Sequence, residues 1–364
     1  MKILVTGSKG FIGRHIVKAL GKNNVIFEYD IDNSLEDLNK YILQADFVIH
    51  LAGINRPKNP SEFYEGNTNF TKLLVDLILK NKRFDLPIIM SSSIQATLDN
   101  DYGKSKLEAE EYIINSKLPN YIFRLNNVFG KWCRPNYNNV FVTFSYNISH
   151  GLDILINNPN NIVTFNYIDD VVLEFSRILS LKEHNHTDKR FYVEPSYKIS
   201  VNDLAKLIRY FDNCVKSDIH LPLIKNDFEY KAFKTYLYYL NDNKYPLNYF
   251  EDNRGSFEEL YKDELYGQIS ENVINENITK GGHYHTYKKE IFYVVLGKCK
   301  IVQENIYNKD IIDDIVDGKD LKKVDILPYY SHLISNIGEN KSHVFMWINK
   351  IYNEESSDTF VYKK

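Results

Sequence analysis

Gly7-Ser8-Lys9-Gly10-Phe11-Ile12-Gly13 follows the apolar run Ile3-Leu4-Val5 and leads directly into an amphipathic stretch over 11–20. Between a buried strand and a helix, three glycines at this spacing have separate physical tasks. Gly7 permits a tight turn, Gly10 lets the backbone approach a pyrophosphate, and Gly13 lets the helix pack close to the strand. The N–H groups at the helix start then face the phosphates. Gly7, Gly10, Phe11, Ile12 and Gly13 are therefore candidate contacts for a dinucleotide.

Outward from this loop, apolar runs at 25–29, 47–51, 87–90 and 121–125 read as further buried parallel strands after the first at 3–6. Amphipathic stretches at 11–20, 34–43, 62–79 and 104–114 lie between them. This alternation implies an α/β fold, a Rossmann-type doubly wound parallel sheet with right-handed crossovers. Further helices are expected over 168–181, 201–211 and 227–240. After Tyr245-Pro246 the pattern changes to short apolar runs at 267–273, 290–296, 298–302, 324–327 and 344–348. Runs of this kind suggest an antiparallel sandwich or barrel. The expected domains are 1–245 and 246–364.

The chain has 364 residues, enough for two cores, with 43% hydrophobic and 26% charged residues. A net charge of −3 provides no basic field for nucleic acid. Cys133, Cys214 and Cys299 are far apart and in no CxxC spacing, which argues against a disulfide framework or a zinc knuckle and fits a reducing compartment. No apolar run reaches membrane-spanning length. A soluble cytoplasmic protein is the expectation, with a homodimer as the expected assembly.

Two constellations carry chemistry. Tyr102 and Lys106 stand i,i+4 on an expected helix and so share a face. Ser91-Ser92-Ser93 ends the preceding strand, at the carboxyl edge where such sheets bind ligands. A phenol is a poor acid or base near neutrality, and a nearby ammonium is expected to lower its pKa. In the second constellation, His283 and His285 are two apart on a strand and point to the same side. Glu290 and Gly297 follow, and His332 comes later. Two or three imidazoles with a carboxylate suit zinc or another divalent first-row metal.

The first half resembles the extended short-chain dehydrogenase/reductases. The resemblance makes Tyr102 the general acid/base. It gives Lys106 the nicotinamide ribose, and Ser93 the substrate carbonyl, with Ser92 as the fallback. Leu51-Ala52-Gly53 matches the turn under the cofactor. Asn127, in Asn126-Asn127-Val128-Phe129-Gly130, matches a residue facing nucleotide-sugar phosphates. Asp30, at the end of the second strand, is placed to meet the adenosine ribose and would favour NADH, because a 2′-phosphate would meet a like charge. The second half resembles the cupins through HxHx4Ex6G. The second cupin motif is one residue short, with Tyr330 at its glycine position. Asp252–Phe257 and Lys280–Tyr284 also resemble nucleotide-4-keto-sugar 3,5-epimerases, which need no metal and use the matching histidine as a base. In that reading Arg254 and Lys280 face the substrate diphosphate.

The whole chain resembles the bifunctional CapF-type enzymes of capsular polysaccharide synthesis. That implies a UDP-2-acetamido-2,6-dideoxy-4-ketohexose as substrate. The cupin epimerises it at C3, and the reductase then uses NADPH or NADH at C4 to give UDP-N-acetyl-6-deoxy-talosamine, an N-acetyl-L-fucosamine precursor. The family is associated with NADPH while Asp30 argues for NADH, so the cofactor choice is open. So is the epimerase base, with His283, Lys280, Tyr329 and Tyr330 as candidates. Alternative readings are a UDP-hexose 4-epimerase or 4,6-dehydratase with a structural cupin, a 3,4-ketoisomerase-like cupin, and a redox-sensing NAD(P)-binding regulator.

Overall fold

The computed structural model describes residues 1–217, 221–241, 244, 246–263, 265–352 and 357–362. Contacts group the chain into two units, Met1–Ile208 with Asn226–Asn241, and Arg209–Lys225 with Asp242–Lys364. The boundary expected at 245 falls on Tyr245, outside the described residues.

The first unit opens with β1 (Lys2–Thr6), α1 (Phe11–Leu20), β2 (Val25–Tyr29), α2 (Leu35–Gln44) and β3 (Phe47–His50). Then come α3 (Ser61–Phe63), a π-helical segment Tyr64–Asn69, α4 (Phe70–Lys80), β4 (Ile88–Ser93), α5 (Asp101–Asn115) and β5 (Asn120–Leu125). β6 (Asn127–Phe129), α6 (Val140–Ser149), β7 (Ile162–Tyr167), α7 (Ile168–Leu179), β8 (Arg190–Phe191) and β9 (Tyr197–Ser200) follow. The main sheet runs β2-β1-β3-β4-β5-β8, every pair parallel. Alternation along the strands divides the core. Leu4, Val48 and Ile88 pack on one face with Leu74 and Ile78 of α4. Ile3, Val5, Ile49 and Ile89 pack on the other with Val171 and Phe175 of α7. Covered on both faces, these strands are near-continuously apolar.

Two helical regions depart from the sequence reading. The helix expected over 62–79 is broken by the π-helical segment, whose widened turn turns Asn67 inward, 1% exposed. The sequence reading assigns no element to 140–149, where β-branched and aromatic residues weaken helix propensity. There Asn139 caps the helix by accepting from the Val142 N–H (3.1 Å), and Phe141 stacks on Phe129 at 4.3 Å. Packing of the buried face overrides local preference.

Two further helices, α8 (Val201–Lys216) and α9 (Asp227–Tyr238), precede the strands of the second unit. Its antiparallel sheets contain β10 (Asn248–Asp252), β11 (Gly255–Asp263), β12 (Gly267–Ile274), β13 (Thr279–Tyr284), β14 (Glu290–Leu296) and β15 (Lys298–Asn305). β16 (Ile311–Asp317), β17 (Lys323–Ile326), β18 (Tyr330–Asn336), β19 (Ser342–Ile348) and β20 (Phe360–Val361) complete them. One sheet is ordered β10-β11-β12-β19-β14-β17 and the other β16-β15-β18-β13-β20. Phe292 and Val344 from the first sheet and Ile301 and Ile334 from the second share one core. This is the double-sheet arrangement of a cupin.

Candidate functional site

In the first unit a cavity of about 830 Å³ lies over the carboxyl ends of β1, β3, β4 and β5. Gly7, Gly10, Phe11, Ile12, Gly13, Leu51 and Gly53 line it. Gly7 has φ +70°, and a Cβ there would lie 2.7 Å from the Ala52 nitrogen. A Cβ on Gly13 would lie 2.1 Å from the Gly7 carbonyl oxygen. Both glycines are thus required by close approach. α1 starts at Gly10 with no side-chain cap and no acid in its first turn, leaving its N–H groups available to an anion.

Two of the expected cofactor residues stand apart from this lining. Ala52 turns its N–H to Thr6 Oγ1 (3.4 Å). Asp30 lies behind the glycine loop. Its carboxylate accepts from the Lys9 N–H at 2.8 Å and the Ile31 N–H at 2.9 Å, so it braces the turn.

Ser93, Tyr102 and Lys106 all line the cavity. Ser92 also reaches it, but its hydroxyl is bonded to the buried Glu110, which leaves Ser93 as the serine facing Tyr102. Glu110 is gripped in turn by Arg124 (2.8 Å) and Arg190 (2.7 Å), tying α5 to β5 and β8 beneath the site. Lys106 is 7% exposed and donates to the Ser91 carbonyl at 3.3 Å. Burial pushes its amine down to about 8, against the opposing charge of Glu110. The expected lowering of the Tyr102 pKa is not found. Burial holds the phenol above its ordinary value and outweighs the Ser93 hydrogen bond. Burial thus sets the phenol as a proton donor.

Asn67 escapes the sequence reading. Its amide accepts from the Ile54 N–H (2.9 Å) and donates to the Ile54 carbonyl (3.0 Å) and to Ser105 Oγ (3.0 Å). Ser105 in turn donates to the Tyr102 carbonyl at 2.8 Å. Asn67 thus clamps the Gly53 turn to the helix carrying Tyr102 and Lys106. A Cβ at Gly53 would lie 2.6 Å from Asn67 Oδ1 and 3.0 Å from Lys106 Nζ. At the other end of the cavity Asn127 donates to the Thr164 carbonyl (3.3 Å). Tyr137 lies between the guanidinium groups of Arg134 (5.1 Å) and Arg56 (5.4 Å).

The second unit contains a cavity of about 460 Å³. His283, His285, Glu290 and His332 meet in it, with one ligand atom from each lying within 4.8 Å of the others. β13 carries His283, with His285 just past its end, β14 opens on Glu290, and β18 brings His332 opposite His283. Among the described residues, His285 Nε2, Glu290 Oε2 and His332 Nδ1 are buried without a hydrogen-bond partner. Three imidazoles and a carboxylate gathered in one buried place, with His285 Nε2 and Glu290 Oε2 orphaned beside each other, fit a divalent cation. Burial and the neighbouring His332 push His283 down to about 4, which keeps it in the neutral form a ligand needs. Burial also works against the charged forms of Glu290 and His285. The close approach of imidazole to carboxylate prevails, His285 at 3.5 Å and His332 at 3.2 Å, holding Glu290 below and His285 above the usual values.

His285 is oriented by a residue that no motif announces. Its Nδ1 bonds the Asp358 carbonyl. The Asp358 carboxylate accepts from the N–H groups of Thr286 (3.0 Å), Tyr287 (2.9 Å) and Lys288 (2.8 Å). This hold from behind fixes the ring and its tautomer. Lys280 lines the cavity, while Arg254 does not: its guanidinium is taken by Asp252 at 2.6 Å. Tyr329 and Tyr330 also lie outside the lining. The left-handed turn falls on Tyr329, φ +64°, and not on Tyr330 as the motif alignment suggests.

Comparison with known proteins defines the class. The model of the NAD dependent epimerase/dehydratase family matches residues 3–193, and that of the polysaccharide biosynthesis C-terminal domain matches residues 250–360. The chain belongs to that family, in the CapF-type form that joins the two domains. A UDP-2-acetamido-2,6-beta-L-arabino-hexul-4-ose reductase of Pseudomonas aeruginosa is 37% identical over 368 residues, 99% of this chain and 98% of the relative. The crystal structure of the capsular polysaccharide assembling protein CapF from Staphylococcus aureus superposes with a TM-score of 0.86 at 36% identity, covering 100% of both chains. A UDP-glucose 4-epimerase from Thermotoga maritima shares only the fold (TM-score 0.53, 20% identity, 66% of this chain and 98% of that one).

Proposed function

We infer that this chain is a bifunctional nucleotide-sugar enzyme of capsular or O-antigen polysaccharide synthesis. It epimerises a UDP-2-acetamido-2,6-dideoxy-4-ketohexose at C3 in the cupin. It then reduces the C4 ketone in the first unit to UDP-N-acetyl-6-deoxy-talosamine. The observation that carries the reading is the pairing of two complete sites in one chain, Ser93–Tyr102–Lys106 in one cavity and His283–His285–Glu290–His332 in the other. A relative of the same full length, named as a reductase of a 4-keto sugar nucleotide, supports it.

The chemistry sets the order. The C3 hydrogen is acidic only while C4 is a ketone, because the enolate carries the charge onto oxygen. After reduction, epimerisation stops. His283, His285, Glu290 and His332 would hold the divalent ion, zinc being the best fit, and when bound it supplies Lewis acidity toward a ligand oxygen. Lys280 lines the same cavity, and the Asp358 carbonyl orients the His285 ring. In the other cavity the bound nicotinamide supplies the hydride. Ser93 orients the C4 oxygen, Tyr102 gives it a proton, and Lys106 holds the ribose while Asn127 faces the substrate phosphates. Use of NADH at least comparable with NADPH belongs to the proposal on the charge of Asp30 at the end of β2, although its carboxylate is engaged by the Lys9 and Ile31 N–H groups and does not line the cavity. The homodimer and the cytoplasmic setting belong to the same proposal. Among the described residues, no helix is long and apolar enough to cross a membrane.

The test is product NMR after incubation with the UDP-4-keto-6-deoxy-HexNAc and NAD(P)H in deuterated water. The reading requires deuterium at C3, an inverted C3 centre and stoichiometric NAD(P)H consumption. Turnover without added reductant would point instead to a 4-epimerase or 4,6-dehydratase, and no turnover at all to a regulator.

A further inference from the structure

Two lysines line the cupin cavity, and their surroundings are opposite. The Lys280 ammonium is saturated: it donates to Asn272 Oδ1 at 2.8 Å, to the Val273 carbonyl at 3.0 Å and to the Ser256 carbonyl at 3.4 Å. Lys288 is 2% exposed, and among the described residues its Nζ has no hydrogen-bond partner. The Tyr352 ring lies 5.5 Å from the ammonium, a cation–π contact that offers no hydrogen-bond acceptor. The backbone of Lys288 is fixed, because its N–H is held by the Asp358 carboxylate in the clasp that orients His285. The charge is thus delivered to the wall of the cavity, two residues before Glu290.

A buried ammonium with no acceptor is costly, and the cost is met when a ligand supplies the acceptor. The side-chain oxygen of Glu290 that faces the cavity already lies 3.2 Å from His332 Nε2 and 3.5 Å from His285 Nε2, between the two rings. Among the described residues no acceptor reaches the Lys288 ammonium, and an oxygen of a bound substrate would supply one. A residue this buried meets the part of a nucleotide sugar that enters deepest, which is the hexose ring and not the diphosphate.

We propose that Lys288 is a catalytic residue of the epimerisation, donating a hydrogen bond to the C4 oxygen of the 4-keto sugar as that oxygen becomes the enolate. The proposal rests on the epimerase reading above. When a base takes the C3 proton, the C–H electron pair becomes the C3–C4 π bond and the carbonyl π pair moves onto the C4 oxygen. Lys288 keeps its proton and lends it to that oxygen. Return of a proton to the opposite face of C3 reverses the shift, and nothing is oxidised or reduced.

The experiment compares Lys288→Met, Lys288→Gln and Lys288→Arg with the wild type. It measures C3 deuterium exchange into the UDP-4-keto-6-deoxy-HexNAc without NAD(P)H, alongside metal content, melting temperature and reduction of a C3-epimerised ketone. Loss of one preorganised donor to an oxyanion typically costs about 10²–10³-fold in kcat. The expected result is a fall of that size in the exchange kcat for the Met and Gln variants, with KM, metal content and reduction unchanged. Lys288→Arg, which keeps a charged donor, should recover part of the rate. If Lys288→Met fails to fold, the comparison of Lys288→Arg with Lys288→Gln decides, and equal rates overturn the proposal. Exchange at the wild-type rate in Lys288→Met also overturns it, as does a rise in KM with kcat intact, which would make Lys288 a phosphate ligand. A wild type that exchanges no C3 hydrogen would sink the epimerase reading itself, and Lys288's role with it.

Discussion

Lys106 is kept charged in a place that disfavours charge, so replacing it with an apolar residue of similar length should stabilise the fold it serves. The displacement from 10.5 to about 8, at about 1.4 kcal/mol per pH unit, corresponds to roughly 3 kcal/mol of burial cost. Below pH 8 both the folded and the unfolded chain carry the proton, and the whole cost is present. Between pH 8 and 10.5 the folded chain releases it while the unfolded chain keeps it. The cost therefore fades as pH rises, to about half by pH 9.5. Lys106→Met also loses the hydrogen bond to the Ser91 carbonyl, worth about 1 kcal/mol. The variant should then be more stable than the wild type by roughly 2 kcal/mol at pH 7, with the gap shrinking toward pH 9.5. The assay is urea unfolding of cofactor-free protein in a Trp347→Phe background, so that Trp132 reports the first unit. A variant less stable at pH 7, or a gap that does not change with pH, would refute the reasoning.

Three further outcomes are expected. Tyr102→Phe removes the proton donor to C4, so NAD(P)H oxidation should fall about 10²–10⁴-fold while C3 exchange continues; loss of both would mean a single active site. His285→Ala removes one of four ligands, and elemental analysis should find the metal lost together with C3 exchange, while a pre-epimerised ketone is still reduced. Asp30→Ala should raise NADPH use relative to NADH in initial-rate assays, and an unchanged ratio would remove Asp30 from the ribose site.

Much of the first unit is legible because its signals are local. Gly7 to Gly13 lie across one strand–helix junction, and Tyr102 and Lys106 are one helical turn apart. In the cupin, His283, His285 and Glu290 lie within eight residues, so one strand and the short turn that follows it bring them together. What escaped depends on partners distant in sequence or on packing. Asn67 acts through a π-helical turn that no periodicity marks. Val140–Ser149 is helical because Phe141 and Phe144 are buried, against the preference of their neighbours. The direction of the Tyr102 shift depends on the balance between burial and its neighbours, which composition cannot weigh. Arg254 shows the converse: its motif was visible, but Asp252, two residues away, takes its charge.

The clasp made by Asp358 gives the candidate metal site a dependence on a distant part of the chain. His285 and the residue that orients it are 73 positions apart. On the ribosome, the four ligands have all been synthesised before Asp358 emerges to lock the 286–288 turn and set the imidazole. Removing Asp358 would leave all four candidate ligands in the chain but take away both the carbonyl that orients His285 and the carboxylate that holds the 286–288 turn.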